Sequence, residues 1–334
     1  MYKTPRSSIK YSKIVLDFIF KPGLKALIFI LLLNQGTAFA VRPGETSITA
    51  EAATVYRAIA ATDPDEKIRN PDYLAEKFVN SDSMAYMMRL PRDFSYSREF
   101  VKYHASYHFV NARTHHIDML LKKTVANGVK QIVNLGAGYD SRAYRFHKQF
   151  PKVKFFEVDL PATLEHKKQL ITNILGSFPD YVAYAPIDFN TQSLEEVLKK
   201  VGYEEGKKTF YIMEGVTYFI TEEGVNSTLK FIVQHSAPGS SIVFDYIYKG
   251  FVDGDPIKYP FAEEILKKFE LIGEPITFGI KEGKAKQFVN QRGLKVLSDL
   301  GSKELAQKYL IRSNGLVAGP LPEFSRIMHA AVIK

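Results

Sequence analysis

The sequence predicts an α/β fold built on a doubly wound, mostly parallel sheet, and three observations carry that prediction. Gln131-Ile132-Val133-Asn134-Leu135 is a short, largely apolar run of the kind that parallel sheets bury on both faces. It stops at Gly136-Ala137-Gly138, where two glycines permit a tight turn and a close approach of backbone to ligand. Ser141 to Arg145 then resumes without Gly or Pro, so a helix is expected there, with its unpaired N–H groups pointing at whatever lies over the glycines.

A GxG turn alone is a weak signal; its surroundings strengthen it. Val153 to Asp159 reads as the second strand and ends in an acid about 20 positions past the glycines, a spacing that suits a carboxylate accepting from ribose hydroxyls. Ser141 stands where a dinucleotide fingerprint has its third glycine, and no second phosphate-cradling loop follows. The pattern therefore favours an adenosyl ligand without a pyrophosphate.

LGAGYDSRAYRF followed by FFEVDLPATLEHKKQL resembles the leucine carboxyl methyltransferase family, class I enzymes dependent on S-adenosylmethionine. Ala185-Pro186-Ile187-Asp188-Phe189 resembles that family's adenine-side motif, and Tyr211 to Phe219 its fourth-strand signature. The resemblance runs from about Gly44 to Lys334. It implies a seven-stranded Rossmann-like sheet with an N-terminal helical cap, a bound S-adenosylmethionine, and methyl transfer to an oxygen, a carboxylate or hydroxyl of a small-molecule acceptor. The cofactor-binding residues it implies are Arg113, Gly136, Ala137, Gly138, Asp159, Asp188, Phe189 and Glu214. Among these, Arg113 is expected at the carboxylate of the cofactor's methionine part and Glu214 beside its amino group. A planar guanidinium fork suits a carboxylate better than a point charge does.

The remaining elements follow in chain order. Residues 1–40 pass from a basic stretch through the apolar run Ala26 to Leu33 to Thr37-Ala38-Phe39-Ala40, a pattern that fits a secretory signal. Three readings stay open for it: a cleaved signal, a membrane anchor, or a mis-assigned start; cofactor supply favours the cytoplasmic side for the body, residues 42–334. Gly44 to Glu51 leads into an alanine-rich helix through Ala61, with Ser47 or Thr49 as N-cap and Pro64 past its end. Leu74 to Met88 reads as a second helix; with the first it would form a cap (42–106) over the cofactor held by the core (107–334).

Tyr107 to Val125 places Val110, Ile117, Leu120, Leu121 and Val125 on one helical face. His115 and His116 are adjacent, so they point about 100° apart, and with no third ligand they read as packing residues and not as a metal site. Tyr181 to Ile187 is the third strand, delivering Asp188, which could equally be a turn or cap residue. Thr209 to Met213 is the fourth and delivers Glu214, an acid that needs a cationic partner beside so buried a strand. Glu222 to Gln234 is a crossover helix and Ser241 to Tyr246 the fifth strand. The connection after it offers Tyr246, Tyr248, Phe251 and Tyr259 as candidate lining of an acceptor pocket. Phe288 to Leu300 and Leu316 to Ile333 resemble the family's last helix and final strand pair.

Composition excludes several other functions. The formal net charge is +9, but residues 1–40 hold six Lys/Arg against one Asp, and the rest is +4. The lysines are dispersed, which argues against nucleic acid as a partner. There is no cysteine, hence no disulfide, thiolate nucleophile or cysteine metal site. A nicotinamide oxidoreductase on a similar cradle, and a non-catalytic ligand-binding protein of the same fold, are the alternatives.

Overall fold

The computed structural model describes residues 47–79, 98–189 and 191–333, and of 98–104 the backbone alone. These residues belong to one compact unit, Ala40–Lys334. The signal-like segment 1–40 lies outside the described residues, among which no helix is long and apolar enough to cross a membrane.

Among the described residues the first elements are α1 (Ile48–Ala60), a 3₁₀ turn (Ala75–Phe78) and α2 (Arg98–Ala126). The alternation then runs β1 (Gln131–Leu135), α3 (Arg142–Phe146), β2 (Lys154–Asp159), α4 (Pro161–Leu175), β3 (Val182–Pro186), α5 (Leu194–Lys200) and β4 (Thr209–Met213). After β4 come α6 (Glu222–His235), β5 (Ser241–Ile247), α7 (Lys249–Val252), α8 (Ala262–Leu271), α9 (Ala285–Asn290), β6 (Leu294–Gly301), α10 (Ser302–Tyr309) and β7 (Ser325–Val332). The strand order is β3-β2-β1-β4-β5-β7-β6, with β7 antiparallel to both neighbours and the first five strands parallel. That is the class I methyltransferase sheet.

Residues alternate between two buried faces, which is what doubly wound means in side-chain terms. Val133, Phe156, Tyr211, Met213 and Ile242 pack under α5, α6 and α9 through Leu198, Val225, Leu229, Ile232 and Val289. Ile132, Phe155, Phe210, Ile212 and Val243 pack under α2, α3, α4 and α10 through Ile117, Leu121, Ala143, Ile171 and Leu305. Register then fixes the site. Leu135 pairs with Val158 and Met213 with Phe244, so Gly136, Asp159 and Glu214 stand together at the sheet's carboxyl edge, with Asp245 beside them in β5, still paired to β7.

Local signals explain most boundaries. Ser47 caps α1 by accepting from the Ala50 amide at 3.1 Å, while Thr49 lies inside the helix. Pro161 opens α4, and Gly176 at φ 83° closes it. Two expectations are corrected. Of Leu74 to Met88, only the 3₁₀ turn Ala75–Phe78 is present before Val79 turns extended, and 80–88 lie outside the described residues. Phe288 to Leu300 is not a helix, because Gly293 at φ 77° ends the helical stretch and β6 follows; α10 then intervenes before β7.

Candidate active site

The glycine turn is sterically enforced. Gly136 and Gly138 have φ of 70° and 42°, and a Cβ on Gly136 would lie 2.1 Å from Val216 Cγ2. The turn's amides are not idle, however: Gly136 and Ala137 donate to the Val158 carbonyl at 2.7 and 3.0 Å, and Gly138 donates to Asp159 Oδ2 at 2.6 Å. The helix behind it is only five residues long, and its Arg142 amide donates to Asp140 Oδ1 at 2.6 Å. The expected display of unpaired helix N–H groups is thus corrected: the edge offers carboxylates, not bare amides.

Asp159 also accepts from the Leu160 amide at 2.7 Å, which aims its carboxylate back over the turn. Burial raises this carboxyl above its ordinary range, against the lowering effect of the two amides. With about four lone-pair sites on a carboxylate, two accepted bonds leave it able to take ribose hydroxyls. The Ile187 amide donates to the Asp159 carbonyl at 2.9 Å, so the end of β3 stays beside it. Asp188 and Phe189 follow there, both half-buried, with Phe189 against the core and the Asp188 amide bonded to Gln192 Oε1.

Arg113 is not a solvated helix residue. It is 4% exposed, and its Nε lies 2.9 Å from Glu214 Oε1 while Nη1 donates to Asp245 Oδ2 at 2.5 Å. Glu214 Oε2 meets Arg142 Nη1 at 2.6 Å, and Arg142 also holds Asp140 and, through Nε at 2.7 Å, Asp118. Arg145 reaches Asp118 at 2.7 Å, and Asp72 joins it to Arg57. Among the described residues the chain alternates four guanidinium groups with five carboxylates. Burial alone would raise the Glu214 carboxyl, but Arg142 and Arg113 hold it below its usual range. The cationic partner demanded of Glu214 is therefore present twice.

Sequence reading passed over Asp118, Asp140, Arg142, Arg145 and Asp245. Asp245 carried a signal of the same kind as Glu214, a lone acid within a buried apolar strand. It accepts from the Gly215 amide at 2.6 Å and from the Tyr218 hydroxyl at 3.3 Å. Part of the acceptor-pocket expectation is corrected. Phe251 and Tyr259 are buried around Phe324 in a small core of their own, and the buried Tyr246 donates to Asp299. His116 Nδ1 lies 2.7 Å from the Tyr309 hydroxyl and His115 stacks on that ring. No group of acids and histidines among the described residues could hold a metal.

Comparison with known proteins identifies the family. The leucine carboxyl methyltransferase family matches residues 50–233. A Bacillus subtilis relative, YktD, is 35% identical over 135 residues, covering 40% of this chain and 44% of its own. Relatives from Mycolicibacterium gilvum and Streptomyces coelicolor are 28% and 30% identical, covering 67% and 60% of this chain and 73% and 69% of theirs. The names of all three provisionally assign S-adenosyl-L-methionine-dependent methyltransferase activity. The alignment thus spans less than half of the Bacillus protein. The strand order and the family match give the chain the fold of the class I, S-adenosylmethionine-dependent methyltransferases. The chain belongs to the leucine carboxyl methyltransferase family.

Proposed function

We propose that this protein methylates a carboxylate oxygen of a small molecule. S-adenosylmethionine, when bound, supplies an electrophilic methyl group on a sulfonium centre. The residues present fit that group: Gly136 and Gly138 keep the turn free of side chains, Asp159 suits the ribose, and Asp188 and Phe189 suit the adenine side. Arg113 suits the carboxylate of the methionine part, and Glu214 its ammonium. The surplus of carboxylates over guanidinium groups in the buried chain favours a ligand whose sulfonium and ammonium make it cationic.

The observation that carries the carboxylate reading is the match to the leucine carboxyl methyltransferase family over residues 50–233, and the state of Tyr218 is compatible with it. Its phenol is pushed well above its ordinary range by burial and by Asp245, so it stays protonated at neutral pH and is no base. A carboxylate acceptor is already ionised and asks for none. The chain's task is then to hold donor and acceptor in line and keep water out, positioning that is worth several kcal/mol of barrier. The test is transfer of tritiated methyl from the cofactor to a panel of small carboxylic acids and phenols. Label that alkali releases as volatile methanol identifies a methyl ester, whereas label retained through alkali identifies an ether and a hydroxyl acceptor.

A further inference from the structure

Helix α1 lies directly on the glycine turn, and its two ends are fastened differently. A Cβ on Gly138 would sit 3.2 Å from the Ala50 side chain. Toward the C-terminal end, Arg57 donates to the Tyr139 carbonyl at 2.8 Å and pairs with Asp72 at 2.9 Å, all in the interior. The N-terminal end hangs on one residue from the far side of the site. Glu274, 3% exposed, accepts from the Ile48 amide at 2.6 Å, the Thr49 amide at 3.3 Å and the Ser47 hydroxyl at 3.2 Å, and it also binds the Thr49 hydroxyl. A carboxylate at a helix N-terminus satisfies orphan amides and opposes the positive end of the dipole. Glu274 follows Gly273, which is left-handed at φ 80° where α8 ends.

We propose that Glu274 and the Ser47–Thr49 turn form a latch that gates exchange of S-adenosylmethionine and its demethylated product, with α1 as the lid and Arg57 as its pivot. This rests on the methyltransferase reading. The latch ties lid to body and does not itself reach into the glycine turn, so it restrains opening whether or not the cofactor is present. Weakening it speeds arrival and departure together and leaves the equilibrium nearly unchanged. A residue that contacted the ligand, or merely propped the site, would change affinity instead.

The experiment follows binding and release of tritiated S-adenosylhomocysteine by the full chain, for wild type, Glu274→Gln, and Ser47→Ala with Thr49→Ala. Loss of a cap interaction of about 1.4 kcal/mol corresponds to a ten-fold change. The latch therefore predicts that association and dissociation both rise about ten-fold in Ser47→Ala/Thr49→Ala and less in Glu274→Gln, with the dissociation constant within two-fold of wild type. Unchanged rates, or faster dissociation alone, would overturn it. Absence of binding by wild type would instead overturn the cofactor reading beneath it. Thermal unfolding of each variant identifies any that fails to fold, and the milder Glu274→Gln then carries the comparison.

Discussion

Two groups of basic residues lie on helix α2 within one turn of each other and meet opposite fates. Arg113 is buried among acids and stays charged; His116 is buried against Tyr309 and stays neutral, and His115, half-buried, stacks on the same ring. Burial pushes His116 and, on β7, His329 down to about 4, and Lys308 and Lys123 push the same way. His115 is also lowered, chiefly by burial. The surroundings are similarly dry; the difference is whether counter-charge faces the group. Where the sheet edge presents Glu214 and Asp245, charge is kept and can meet a charged ligand. Where Tyr309 of α10 and Phe210 inside β4 face them instead, His116 and His329 fill space.

The largest way to break the histidine side is acid. An unfolded histidine takes a proton near pH 6.5, whereas His116 and His329 refuse one until about 4 in the fold. The unfolded state therefore binds more protons in that window, and stability falls as pH drops from about 6.5 toward 4. Each histidine contributes a loss of roughly 1.4 kcal/mol for every pH unit crossed. Urea unfolding at stepped pH measures it, and His329→Phe should flatten the slope. On the arginine side, Arg142→Leu leaves Glu214, Asp140 and Asp118 without a shared partner and should cost about 3 to 5 kcal/mol in the same assay.

Smaller changes sharpen the contrast. Arg113→Lys keeps the charge but loses the planar fork between Glu214 and Asp245, so cofactor affinity should fall about ten- to a hundred-fold while the fold survives. Equal affinities by calorimetry would make Arg113 a structural residue only. Asp159→Ala removes the acceptor for the Gly138 and Leu160 amides as well as for ribose. It should weaken cofactor binding by about 1 to 3 kcal/mol. The least effect is expected of His116→Leu, where one hydrogen bond to Tyr309 is lost, about 1 kcal/mol of stability with cofactor affinity unchanged.

Much of the parallel half of the sheet was legible because its strands are uniformly apolar runs ended by Gly, Asp or Glu; β4 lies where its apolar run placed it, at Thr209–Met213. In the antiparallel half β7 falls within Leu316 to Ile333, but β6 was not legible, since it is partly exposed and its Lys and Ser read as well in a helix. At the site, positions marked by chemistry that burial forbids, such as Glu214, could be read in advance. Their partners could not, because Arg142 and Asp118 sit 24 positions apart and look like ordinary helix charges until the fold closes them into one chain. The aromatic residues after β5 misled for the opposite reason: a ring suits a pocket wall and a core equally, and here Phe324, just before β7, makes a core of Phe251 and Tyr259.

The central claim is that the carboxyl edge, with its glycine turn and its acid–guanidinium chain, holds S-adenosylmethionine. Titration calorimetry of the full chain with S-adenosylmethionine, S-adenosylhomocysteine and NAD tests it most directly. The account predicts one-to-one binding of the first two, lost in Glu214→Ala, and no heat with NAD. Binding of NAD, or no binding of either adenosyl ligand, would contradict it.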